Sequence, residues 1–285
     1  MISIKEYVEI RKKELKDMVA TMKEKPCLMV IQIGNDAASS SYVKGKSKDC
    51  QEIGIEFRHL HIDDYDELET SDIIKIINKH IHWYDPDGIM IQLPIPDKFD
   101  INKILQTVPP IKDVDGVKKT SLFDPCTPRG VVDYLKYNNY QFDGKHALVI
   151  GRSNIVGKPL ADMLLNLNCT VTICHSKTSP DQLEDAIKSA DIVFTCINKI
   201  EYFDGSFRLN QDIIDIGLGR GADGKLHGNL SLKCYEHMKK QNPENYIISG
   251  TGGTGLLTRL ALMENVIGVR NRFREWNRGN KWTKF

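Results

Sequence analysis

The stretch His146-Ala-Leu-Val-Ile-Gly-Arg-Ser-Asn-Ile-Val-Gly-Lys-Pro-Leu160 constrains the fold more than any other part of the chain. Ala147 to Ile150 form an apolar run long enough for a buried parallel strand and too short for a helix. Gly151 ends the run, and Gly157 opens an amphipathic segment with a proline in its first turn, as helices tolerate. A strand that passes through a glycine turn into a helix N-terminus leaves free backbone N–H groups and a positive dipole end. Together these suit a pyrophosphate. The spacing departs from G-x-G-x-x-G, because Ser153 stands where the second glycine would be. Thr170-Val-Thr-Ile-Cys then alternates and ends in His175, Ser176 and Lys177. An NAD site usually places Asp or Glu there to hold the ribose. Donors and positive charge, with Arg152 projecting from the first turn, suit a 2′-phosphate and favour NADP over NAD.

The rest of the chain repeats the strand–helix alternation, so the expected class is α/β throughout, with no internal repeat at solenoid spacing. A charged helix is expected over 5–23, a buried strand over 26–34, and a helix to about Ile53 capped by Ser39 to Ser41. On that helix Tyr42 and Lys46 share a face, while Lys44 and Lys48 point elsewhere. A half-alternating strand over 55–62 and a helix over 71–82 lead to the strand Gly88-Ile-Met-Ile-Gln-Leu-Pro-Ile-Pro96, which its prolines must end. Gln92 thus lies at a strand's carboxyl end, where open α/β sheets place ligands. A short helix over 101–108 precedes the turn Lys112-Asp-Val-Asp-Gly116. Pro125-Cys-Thr-Pro-Arg-Gly130 is the candidate hinge between two domains. Beyond it we expect helices over 129–138 and 180–188, strands over 191–196, 212–216 and 246–248, and a helix from the glycine loop at 249–255 to about Val269.

At 285 residues the chain can hold two cores, and a net charge of +1 does not call for a nucleic-acid or membrane partner. The basic tail, with Arg270, Arg272, Arg274, Arg278, Lys281 and Lys284, reads as a solvated terminus. Seven cysteines without a C-x-x-C pair, several inside apolar runs, read as reduced core residues of a cytoplasmic protein. The start lacks a signal-peptide core, and no segment has transmembrane length.

With Tyr42-x-x-x-Lys46, Gly88 to Pro96, Lys112 to Gly116, Pro125 to Gly130 and Gly151-Arg-Ser-x-Ile-Val-Gly157 in order, the chain resembles the bifunctional methylenetetrahydrofolate dehydrogenase/cyclohydrolases. The likeness runs from about residue 26 to residue 268, with Cys174-His-Ser-Lys-Thr178 and Leu262-Met-Glu-Asn265 adding to it. It implies a folate-binding catalytic α/β domain over 1–127, completed by a C-terminal helix over 256–285. A Rossmann-like NADP-binding domain over 128–255 would lie between those segments, with the cleft between the two domains. It implies NADP-dependent oxidation of 5,10-methylenetetrahydrofolate, then hydrolysis of the methenyl product to 10-formyltetrahydrofolate, without a metal and in a homodimer. Lys46 would handle protons for hydrolysis, tuned by Gln92; Asp115 would hold the pterin and Tyr42 would stack on the folate ring. Ser39, Pro94, Gly252 and Gly253 would line the folate site. Gly151, Arg152, Ser153, Val156, Gly157, Ser176, Ile216, Leu218 and Thr258 would take the nucleotide.

Without the resemblance, Lys46 is an exposed helix lysine, Tyr42 is packing, Gln92 ends a strand and Asp115 is a turn residue. Two other functions compete: an NADP-dependent dehydrogenase of a shikimate-like substrate, and a non-catalytic folate- or nucleotide-binding relative. The chain also departs from the family. Ser249-Gly-Thr-Gly-Gly-Thr-Gly-Leu-Leu-Thr258 lacks three prolines usual there, which should loosen this loop. Gly219 replaces an asparagine, Asn229 an aspartate, and Cys196-Ile-Asn-Lys199 an Ala-Thr-Gly turn, all in the nucleotide half.

Overall fold

The computed structural model describes residues 1–277 except Ser206 and Leu209, with side chains through Asn271. The chain divides into two compact units, Glu9–Cys126 with the segment from Arg259 onward, and Met1–Val8 with Thr127–Thr258.

The elements of the first half are α1 (Ile4–Ala20), β1 (Cys27–Ile33), α2 (Ala37–Ile53), β2 (Glu56–Ile62), α3 (Thr70–Tyr84), β3 (Gly88–Gln92) and α4 (Ile101–Gln106). The strands form a parallel sheet in the order β2-β1-β3. β1 is central and buried along its whole length, as a parallel strand covered on both faces must be. β2 is an edge strand and half-exposed, which is why its sequence only partly alternates. The core packs Met29, Ile31 and Ile33 of β1 against Ile73 and Ile77, four apart on α3, and Ile89 and Ile91 of β3. Helix α2 starts earlier than the serines suggest. Its N-cap is Asp36, whose carboxylate accepts from Ser39 N at 2.7 Å, and Ser39 turns inward to donate to Leu93 O at 3.2 Å.

The second half continues with α5 (Cys126–Tyr137), β4 (His146–Ile150), α6 (Gly157–Leu165), β5 (Thr170–Cys174), α7 (Pro180–Ser189), β6 (Ile192–Thr195), β7 (Asp212–Asp215), β8 (Leu218–Arg220), β9 (Leu226–Gly228), α8 (Leu232–Gln241), β10 (Ile247–Ile248) and α9 (Thr254–Asn277). Five of these strands form a parallel sheet in the order β10-β7-β6-β4-β5, and β8 and β9 pair as a small antiparallel hairpin. The order reverses between β4 and β6, and ligands of open α/β sheets bind outside the carboxyl ends at such a point. The core of this unit gathers Leu148, Ile150, Val193 and Ile213 from the sheet with Ile187 of α7 and Met238 of α8.

The hairpin and α8 lie outside the elements read from the sequence. Arg270 is also not a solvated tail residue: it pairs with Asp87 at 2.7 Å and Glu24 at 2.8 Å. The rest of the basic tail, from Arg272 to Lys284, lies outside the described side chains. Among the described residues no helix is long and apolar enough to cross a membrane.

Candidate functional site

In the unit holding β1 to β3, the sheet order also reverses, between β1 and β3, and their carboxyl ends carry glutamines paired in register, Gln32 and Gln92. Both are buried. Gln32 donates to Ser40 Oγ at 3.0 Å and Gly34 O at 3.2 Å, while its own Oε1 has no protein partner. Gln92 is held by its amide, which donates to Leu93 O at 2.8 Å, and this turns Oε1 toward α2. There Lys46 donates to it at 2.6 Å.

Lys46 is 4% exposed, an unusual place for an ammonium. Burial pushes it below the usual lysine range; Asp115, Cys126 and Asp49 oppose that effect, and Arg259 adds to it. Its ammonium stands 5.7 Å from the centre of the Tyr42 ring, one turn earlier on the same helix face. Asp115 is half-buried. Loss of water raises its carboxyl above the ordinary range, opposed by Lys46, reinforced by Asp113 and opposed again by the Cys126 thiol. A buried amine made easier to deprotonate and a carboxyl made harder to ionise thus face each other, an arrangement common where protons are moved. Asp113, by contrast, is consumed locally: its carboxylate accepts from Lys118 N at 2.9 Å. Ser39, Tyr42, Lys46, Gln92 and Asp115 all belong to this unit, as does the exposed Pro94, which follows a cis peptide bond.

In the other unit, a cleft of about 380 Å³ opens at the switch point of the five-stranded sheet. It is lined after β4 by Gly151, Arg152 and Ser153, after β5 by His175 and Ser176, and after β6 by Cys196 to Lys199 and Tyr202. Gly151 has φ +136°, and a Cβ there would lie 2.6 Å from Cys196 O. A Cβ on Gly157 would lie 2.7 Å from the Gly151 carbonyl carbon, so this turn closes only with two glycines. Ser153 holds the turn that leads to α6, whose N-cap is Val156: its Oγ accepts from Val156 N at 3.1 Å and Gly157 N at 3.3 Å. Lys177 N donates to His175 Nδ1 at 3.1 Å, which leaves the neutral ring's proton on Nε2. Among the described residues no carboxylate lines this cleft, while Arg152 and Lys199 bring positive charge. The glycine cradle and this donor set fit a phosphorylated dinucleotide.

Val156 and Gly157 flank the α6 N-terminus beside the cleft, whereas Ile216, Leu218 and Thr258 do not line it. Gly252 lies in a 3-10 turn and Gly253 at its left-handed end, with φ +115°. Residues 196–199 and Tyr202 line the cleft without having been singled out as nucleotide residues; their position after a strand adjoining the switch point was the available signal. Lys199 lies 4.5 Å over the Tyr202 ring.

Two family descriptions match the chain in order. "Tetrahydrofolate dehydrogenase/cyclohydrolase, catalytic domain" matches residues 2–115, and the NAD(P)-binding domain of the same family matches 125–274. The chain belongs to this family. Curated relatives named bifunctional protein FolD include one from Agathobacter rectalis, 38% identical over 92% of this chain and 95% of its own. Another, from Bacillus subtilis, is 34% identical over 95% of this chain and 98% of its own. The crystal structure of the bifunctional FolD enzyme of Campylobacter jejuni superposes with a TM-score of 0.84 at 33% identity, covering 93% of this chain and 96% of that one. The α/β architecture with an NAD(P)-binding domain is thus common to chain and family.

Proposed function

We propose that the chain oxidises 5,10-methylenetetrahydrofolate with NADP⁺ and hydrolyses the methenyl product to 10-formyltetrahydrofolate, with Lys46 as the proton-handling residue of hydrolysis. The observation that carries this is the buried Lys46 ammonium, bound at 2.6 Å to Gln92 beside Tyr42 and Asp115.

In the oxidation, the methylene carbon is flanked by two nitrogens that stabilise the cation left behind, so the protein need only orient the substrate. NADP⁺ supplies the hydride acceptor. Asp115 matches the paired N–H donors of a pterin, and the Tyr42 ring offers a stacking face. Hydrolysis needs more: water attacks the methenyl carbon and loses a proton, then the carbinol O–H loses its proton as the formyl C=O forms, the C–N5 bond breaks and N5 gains a proton, so one proton is released to solvent. Burial makes Lys46 easier to deprotonate than an ordinary lysine, which suits it to accept the first proton and return it to N5. Gln92 fixes where that amine points. Ser39 and Pro94 belong with these residues, and the family resemblance alone assigns Gly252 and Gly253 to folate. Arg152, Ser153, Ser176 and the Gly151–Gly157 turn hold the nucleotide, with Val156, Ile216, Leu218 and Thr258 around it. Arg152, with no acidic lining residue among the described ones, favours the 2′-phosphate of NADP. Seven cysteines, none in a disulfide among the described residues, support a cytoplasmic protein, and the homodimer rests on the family resemblance.

Nicotinamide reduction with NADP⁺ or NAD⁺, and separately the loss of methenyl-folate absorbance, should both be seen with purified protein. Lys46→Ala should lower hydrolysis by roughly 10²–10⁴-fold and leave hydride transfer largely intact. Undiminished hydrolysis in that variant would overturn the assignment.

A further inference from the structure

Behind Lys46 lies a charged cluster that the reaction above does not use. Tyr42, Gly45, Lys46 and Asp49 are spaced i, i+3, i+4 and i+7 and form one stripe of α2. Asp49 is 2% exposed, yet it carries two cations: Lys12 of α1 at 2.6 Å and Arg259 of α9 at 2.9 Å. Lys12 has a second carboxylate, Glu52, at 2.8 Å, whereas Asp49 is the carboxylate paired with Arg259. The guanidinium does not merely approach α2; it occupies the place of a side chain on it. A Cβ built on Gly45 would collide with Arg259 Nη1 and lie 3.2 Å from Cζ. Gly45 has an ordinary helical backbone, where alanine would be the better helix former by about 1 kcal/mol. Its missing side chain is explained by the guanidinium lying against the helix, one residue from Lys46.

We propose that the Arg259–Asp49 pair, seated over Gly45, is a positioning and charge-setting unit for the Lys46 ammonium. The inference rests on the reading of Lys46 as the proton-handling residue. The groups facing Lys46 are Gln92 from β3, Asp115 from the loop before α5, Cys126 at the start of α5, Arg259 from α9 and Asp49 from its own helix. Asp115 is the residue read as holding the pterin, while Cys126 is buried and donates its thiol proton to Val114 O at 3.2 Å. Arg259 and Asp49 form an ion pair at 2.9 Å and act in opposite directions on the amine, the cation driving it toward neutrality and the carboxylate toward charge. Arg259 and Asp49 are positioning residues: they touch neither substrate nor reacting atoms.

This opposition gives a signature that loss of packing cannot imitate. Arg259→Gln removes the repelling charge and should raise the Lys46 pKa by about one unit; Asp49→Asn should lower it by a similar amount, for unit charges at helix-neighbour distances in a medium of intermediate dielectric. Gly45→Ala displaces the flexible end of Arg259 and should shift it upward, by less, without loss of stability. Lys46 can be read without substrate, by the pH dependence of its competitive acetylation in the intact ligand-free protein, with exposed Lys44 and Lys48 as internal references. The pH profile of methenyl-folate hydrolysis should move in parallel. Opposite shifts in the two charge variants, with Arg259→Lys close to the parent, support the unit. Shifts below about 0.3 units in both Arg259→Gln and Gly45→Ala, or in the same direction for Arg259→Gln and Asp49→Asn, would overturn it. If Asp49→Asn fails to fold, the Arg259 and Gly45 variants decide alone. Hydrolysis surviving in Lys46→Ala would instead refute the underlying assignment, whatever the labelling shows.

Discussion

Replacing Lys46 by Met together with Gln92 by Leu should give a protein that no longer hydrolyses methenyl-folate and is at least as stable as the parent. Lys46 is all but buried, and its short bond to Gln92 does not return the full cost of removing an ammonium from water. Removing both partners with apolar groups of similar shape should change stability by roughly 0 to +4 kcal/mol, the upper part trimmed because Asp115 loses its neighbouring cation. Gln92→Leu alone leaves the buried ammonium without its acceptor and should cost about 3 kcal/mol, or roughly 6–12 °C in a melt of a domain this size. The pH dependence fixes the sign. Burial lowers the folded Lys46 pKa below its unfolded value near 10.4, so the cost of the charge is complete below the folded value and vanishes as pH rises through the unfolded one. The double variant's advantage should therefore be largest near pH 6–7 and shrink toward pH 10 in urea titrations of the ligand-free protein. A single Gln92→Leu variant as stable as the parent would refute the reasoning, as would a double-variant advantage that grows with pH.

Two predictions concern the nucleotide side. Gly157→Ala forces a Cβ into the backbone of Gly151, which has no flexible end to yield, and should weaken NADP⁺ binding by about tenfold or more in calorimetry; unchanged affinity would show the turn to be adaptable. Arg152→Ala should raise the Kd for NADP⁺ about 10–100-fold, the worth of a charge-assisted bond, and barely change that for NAD⁺. Equal losses for both would mean that Arg152 does not read the 2′-phosphate.

The strands that carry the sites were legible because their burial makes them so: β1, β3 and β4 are apolar runs ended by glycine or proline, whichever fold they enter. β8 and β9, three residues each, are too short to show a period, and α8 buries only Cys234 and Met238 along a mostly charged face. The α2 start was misplaced because Asp36 and Ser39 are both good caps, and only the turn geometry selects between them. Arg270 read as tail for a related reason: nothing local marks Asp87 and Glu24 as its partners, more than 180 positions away. The same distance hides the Arg259–Asp49 pair. Lys46 and Gln92, also far apart in sequence, came through the resemblance and not through any local pattern, since a helix lysine and a strand-end glutamine are ordinary singly.

The glycine loop at 249–258, which lacks three prolines usual in the family, carries restraints that sequence reading does not weigh. Three prolines there would act on the mobile and unfolded chain, each worth about 0.4–1 kcal/mol. In this chain hydrogen bonds restrain the loop: Gly252 N to Ser249 O at 2.7 Å, Thr254 Oγ1 to Gly250 O at 2.9 Å, and Gly250 N to the Asp215 carboxylate at the end of β7. At about 0.5–1.5 kcal/mol each, three such bonds are comparable to the prolines. Asp215 also accepts from Thr195 Oγ1 at 2.8 Å and Leu230 N at 3.1 Å, and glycines at 228 and 250 let the backbone close on it where a Cβ would collide. Proline acts locally, whereas this anchor joins the loop to β6, β7 and the chain after β9. One of the loop's three bonds thus rests on a buried carboxylate, so a change at Asp215 should reach the loop even though 34 residues separate it from Gly250.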